Sequence, residues 1–160
     1  MDLMNLYTSF DGRIRRGQWW LGVVILFVAA LILSAILGAL FGGGFFGRLL
    51  TLLVSLGLLY PALALATKRL ADRGKPPMPR LALFYGPGVL VLLLDTFRIG
   101  YRPMGQMPGM DGLPGGEMMV PGALPSVVGL LALIAGIWAL VELGFLKGDS
   151  ETNAYGPPPQ

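Results

Sequence analysis

Three arginines and two tryptophans crowd the stretch SFDGRIRRGQWW, at Arg13, Arg15, Arg16, Trp19 and Trp20. Guanidinium groups bond carboxylates and phosphates through several N–H donors, and indole rings favour the boundary between water and hydrocarbon. Side chains of these types can anchor a helix at a membrane surface, hold a lipid headgroup, or close an ion pair. Acidic partners are few. Asp72 follows Arg69 by three residues in KRLADRGKPP, and Glu142 ends a long apolar run. The reading is a polar lock in which Asp72 accepts from one of the arginines, because a partly buried charge is costly unless paired. Arg13, Arg16, Arg69, Asp72, Glu142, Asn153 and Tyr155 form the candidate surface, with a headgroup or soluble ligand as its sharper use. Trp19 and Trp20 are read as interfacial anchors.

Methionine is the second candidate. Met104, Met107 and Met110 recur every third residue, and Met118 and Met119 follow. Thioethers bind Cu(I), and flexible Met-rich surfaces also suit contact with a protein partner. Partner contact ranks above copper at Met104, Met107 and Met110, because the chain has no histidine or cysteine to share a metal. The same lack removes imidazole acid–base catalysis, thiol nucleophiles and disulfides. Inside the apolar runs the polar residues are Ser34, Thr51 and Ser55, with Asp95 and Glu142 at the edges. That inventory is thin for catalysis and for a proton or ion path. The expectation is a protein that is not an enzyme and carries no cofactor.

The elements that must position these residues are membrane spans. Hydrophobic residues make up 54% of the 160 positions and charged residues 13%, with mean hydropathy +0.68. Soluble domains carry roughly 25% charged residues. Residues 19–41 and 49–67 are uncharged except for their boundaries and read as two spans joined by the short link FGGGFFGR, which makes them an antiparallel hairpin. A third span, 80–99, is short or kinked at Gly86, Pro87 and Gly88, since proline removes a helix hydrogen bond. A fourth covers 122–145. The fold class is therefore an all-α integral membrane protein with four transmembrane helices, the membrane domain running over 19–147.

Residues 1–18 complete it as a cytoplasmic segment, where Leu3, Leu6, Tyr7 and Phe10 recur at the spacing of a short interfacial helix. Residues 100–121, rich in Gly, Pro and Met, read as a flexible periplasmic loop, and 148–160 as a polar, Pro-rich cytoplasmic tail. Gly38 and Gly42 stand at a helix-packing spacing, whereas Gly43 and Gly47 read as part of the turn. Of the twelve basic residues, nine fall on one side of this arrangement and three on the other. The positive-inside bias puts both termini in the cytoplasm. The net charge of +3 sits beside apolar runs, which favours anionic lipid over nucleic acid.

Three motifs carry a resemblance. FDGRIRRGQWW, KRLADRGKPP and NAYGPPP, at 153–159, occur in the order and at the positions found in the domain-of-unknown-function family 805, a family of small bacterial inner-membrane proteins. The chain resembles that family over almost its whole length. Phe10, Gly12, Arg13, Arg16 and Trp20 match its opening; Arg69, Leu70, Asp72 and Gly74 match its middle; Asn153, Tyr155, Gly156 and Pro159 match its end. Ala71 stands where the family usually has histidine, and KPPMP replaces its small-residue and tryptophan stretch. The resemblance implies a multi-pass, four-helix protein of the bacterial inner membrane and supplies no activity. The functional expectation is a non-enzymatic protein that binds lipids or other integral membrane proteins, as a small accessory or assembly subunit of a larger complex. The alternative is a small homo-oligomeric transporter or channel-like protein.

Overall fold

The computed structural model describes residues 3–104 and 118–159. Helix α1 spans Leu3–Thr8, α2 Arg16–Phe41, α3 Phe45–Asp72, α4 Arg80–Thr96 and α5 Ala123–Leu140, the last continuing into a π-helical turn, Val141–Phe145. Three of these, α2, α3 and α5 with its π turn, are long and apolar enough to cross a membrane. At about 1.5 Å per residue, the 26 residues of α2 reach about 39 Å. Helix α4 has 17 residues, about 25 Å, and runs without interruption through Pro87. It ends at Thr96, before the expected limit at Ile99, where Phe97, Arg98 and Ile99 turn back their N–H groups onto Leu93, Asp95 and Leu94. Arg98 takes φ 54° there, and Gly100 follows at φ 76°.

The helices pack as two hairpins, α2 with α3 and α4 with α5, joined through α3 and α4. The close approach of α2 to α3 falls at Gly22, not at Gly38. A Cβ on Gly22 would stand 2.8 Å from Leu65, whereas one on Gly38 would meet nothing within 4 Å. Gly47, expected in the turn, lies instead in the first turn of α3, where it backs onto the carbonyl of Gly42.

Residues 100–121 are not wholly irregular. Tyr101–Pro103 (β1) and Met119–Pro121 (β2) form an antiparallel pair with Arg102 opposite Val120. The N–H of Met104 donates to Met118 O at 2.7 Å and extends the pair by one step. The expected structureless loop thus has a paired base, and the all-α expectation gains this one small ribbon. Strands of three residues are too short to leave a periodic signal in the sequence.

Burial is concentrated at the opposite end. Leu6, Ile14, Trp19, Leu65, Ala66, Leu70, Leu81, Phe84 and Leu143 form one cluster where α1, the start of α2 and the end of α3 meet the π turn. Helix α1 is shorter than the expected interfacial segment and is clipped to α3. Lys68 Nζ donates to the carbonyls of Asn5 and Leu6, and Tyr60 Oη donates to Thr8 O at 3.0 Å. Tyr7 Oη donates to Gly22 O at 3.2 Å, and burial raises the Tyr7 phenol above its ordinary value, so the donor stays protonated.

Candidate functional site

Helix α5 ends in the cluster with its carbonyls unspent. A helix leaves its last C=O groups without intrahelical partners, and the widened π turn adds to the number. Here side-chain donors take them one after another. Arg73 donates to Glu142 O at 2.6 Å, Arg69 Nε to Leu143 O at 2.8 Å, Trp20 Nε1 to Gly144 O at 3.1 Å and Arg16 to Phe145 O at 3.2 Å, and a second Arg69 nitrogen reaches Leu146 O. Cations at a helix C-terminus also oppose the negative end of its dipole.

Asp72 sits at the centre. Arg69, one turn earlier on α3, donates to its Oδ2, and Arg13 Nε donates to its Oδ1 at 3.2 Å. One carboxylate is thus held between two guanidiniums, where the sequence reading placed one. Asp72 is 4% exposed and Arg69 is fully buried. Arg13 uses all five N–H donors: Nε on Asp72 Oδ1, two on Glu151 O and Gly156 O, and two on Asp72 O and Asp149 O. The backbone N–H of Asp149 returns a bond to Asp72 O at 2.7 Å. Glu142 lies beside this group and faces other cations, with Oε1 3.0 Å from Lys75 Nζ and 3.4 Å from Arg73.

The tail closes the arrangement. Asn153 Nδ2 donates to Ala71 O at 3.0 Å and to Asp149 Oδ2 at 2.9 Å, while its Oδ1 accepts from Tyr155 N. That side-chain turn, with Gly156 at φ 115°, points Gly156 O at Arg13. The Tyr155 side chain is exposed, and its backbone alone takes part. Gly12 at φ 89° turns the chain so that Arg13 enters the group, and Gly74 at φ 63° turns it out of α3. Gly148 packs on the Asp72 carboxylate with no room for a Cβ.

These contacts give each motif a job. Residues 7–157 match the family described as a protein of unknown function (DUF805). The chain belongs to this family. No curated protein and no solved structure matches it. In this DUF805 chain the opening motif supplies Arg13 and Arg16, the middle one Arg69 and Asp72, and the tail motif the Gly156 carbonyl and the Asn153 amide, all at one end of the bundle.

The two tryptophans part company. Trp20 is partly exposed and caps Gly144, but Trp19 is 4% exposed and packs in the cluster, edge-on to Trp20 with ring centroids 5.2 Å apart. The anchoring expectation for Trp19 is corrected: its ring is packed inside the protein among Leu6, Ile14 and Leu143. Arg16 meets a carbonyl rather than a carboxylate. Of the methionine set, Met104 and Met118 are joined through the ribbon and Met119 lies in β2; Met107 and Met110 lie outside the described residues. The sequence reading missed Arg73, Lys75 and Asp149 as partners. The excess of basic residues near α3 is the signal that could have found the first two. Among the described residues, no group of three or more carboxylates, histidines or cysteines stands ready to hold a metal.

Proposed function

We propose that this DUF805 protein is a four-span protein of the bacterial inner membrane, with both termini in the cytoplasm, that binds lipids or other integral membrane proteins without catalysing a reaction. In this reading it serves as a small accessory or assembly subunit of a larger complex. Helix α4, paired along α5, is the fourth span; its length of about 25 Å suits a helix drawn in at both ends by its neighbours. The distribution of basic residues supports the cytoplasmic placement of the Arg13–Asp72–Arg69 group.

One observation carries the functional reading. Beyond Gly22 no residue of α2 is buried, so the rest of that helix offers much of its surface outward, while Asp72 and the arginines that hold it gather at one end. A helix so placed is covered by lipid or by another protein's helices. Purification of the full chain in mild detergent is the test. Stoichiometric co-purifying integral membrane proteins are the expected result. A pure, discrete homo-oligomer would overturn the accessory reading and favour a small transporter or channel.

A further inference from the structure

A cleft of about 390 Å³ opens at the end of the bundle that holds Asp72, between the first turn of α2 and the tail. Its lining includes Arg15, Arg16 and Lys147, with the Arg69–Asp72 pair behind them and Asp149 at the side. These cations are of two kinds. Arg13 has no N–H left, and each nitrogen of Arg69 has an acceptor. Arg15 spends one nitrogen on Pro159 O at 3.2 Å, and Arg16 spends one on Phe145 O. The remaining nitrogens of both, and the whole ammonium of Lys147, have no acceptor among the described residues.

The charge is also unbalanced. The cleft wall carries four cations and two carboxylates, and one of those carboxylates, Asp72, is already shared with Arg13. Forked guanidiniums with free N–H groups beside an ammonium make a site for tetrahedral oxyanions, since a phosphate offers several acceptor oxygens at matching spacing. Gly17 at the start of α2 also lines the cleft, where the first-turn N–H groups of a helix add positive potential.

We infer that this cleft binds a phosphate ester, held by Arg15, Arg16 and Lys147. The inference rests on the lipid- and partner-binding reading above and sharpens its lipid half. Two sources offer the same chemistry: the headgroup of an anionic phospholipid, which lies at the depth of the arginine-tryptophan boundary, and a soluble phosphate compound.

The test uses the full chain in non-ionic detergent and follows the thermal unfolding midpoint against added phosphatidylglycerol, diacylglycerol or inorganic phosphate, since a ligand that binds only the folded state raises it. A rise with phosphatidylglycerol alone assigns a lipid headgroup. A rise with inorganic phosphate as well assigns the phosphate group itself, with soluble esters as ligands. In either case Arg16→Gln/Lys147→Gln should weaken the apparent affinity by about tenfold or more, and Arg80→Gln/Arg102→Gln, which removes the same charge outside the cleft, by less than about twofold. Equal effects of phosphatidylglycerol and diacylglycerol, no effect of any probe, or equal losses in the two double variants would overturn the site. None of those results would alter whether partner proteins co-purify, so the two readings fail separately.

Discussion

At the scale of the residue, Asp72 decides more than any other side chain. Its carboxylate is shared by two buried guanidiniums, and removing a partner from a buried ion pair leaves a charge uncompensated. Asp72→Asn should lower folding stability by about 3–5 kcal/mol, read as a fall in the unfolding midpoint in detergent. The control is at the other end of the molecule. Asp95 pairs with Arg98 at 2.8 Å, but the two side chains are 45% and 30% exposed, and Asp95→Asn should cost under about 1 kcal/mol. Equal costs would mean that Asp72 is solvated and the bracket is not closed. Gly148→Ala makes a second test without touching a charge. Its methyl would overlap the Asp72 carboxylate, so the variant should lose stability comparably to Asp72→Asn, whereas Gly17→Ala, where a Cβ meets nothing within 4 Å, should stay within about 1 kcal/mol of the parent. Arg69 and Asp72 are legible in the sequence because a charge next to an apolar run needs a partner. The carbonyl partners of Arg69 are not, since every residue has a carbonyl and the fold alone selects Leu143 and Leu146.

At the scale of the element, the end of α5 and the tail explain why the motifs lie so far apart in the chain. The π turn presents consecutive carbonyls that α2 and α3 cap with side chains, and the tail then lays three further carbonyls, those of Asp149, Glu151 and Gly156, over Arg13. Truncation after Asp149 removes the acceptors at Glu151 and Gly156 and the Asn153 amide on Ala71. The truncated chain should insert normally, yet lose about 2–4 kcal/mol and become protease-sensitive near Arg13, since each lost bond to a charged donor is worth about 1.5–3 kcal/mol and some of it returns through water. Unchanged stability and proteolysis would show that the tail rests on the surface without bracing it. The apolar runs of α2, α3 and α5 are legible because so many uncharged residues in a row have one common use. The ribbon of β1 and β2 is not, because three-residue strands leave no periodicity to read. The third span reads from sequence as short or kinked at Pro87; α4 is short, with 17 residues, and its helix continues through Pro87, as a helix does when its neighbours hold it in place.

At the scale of the whole molecule, the chain has a bound end and an open end. Buried charges, the hydrophobic cluster and all three family motifs gather where the termini meet, while the β1–β2 ribbon and the Asp95–Arg98 pair mark the far end. Sequence alone orders the long apolar helices, but it misplaces Trp19, because which face of a helix is covered depends on what packs on it. The central claim is that this architecture holds four spans, with the Arg13–Asp72–Arg69 bracket on the cytoplasmic side. The absence of cysteine from the chain allows a direct measurement. Single variants Arg102→Cys, in the ribbon, and Ser150→Cys, in the tail, both at exposed positions, can be treated with a membrane-impermeant maleimide before and after the inner membrane is opened. The account predicts labelling of Arg102→Cys in intact cells and of Ser150→Cys only after opening. Labelling of both from the same side would contradict it, since α5 alone would then separate nothing and the bracket would not mark one face of a four-span bundle.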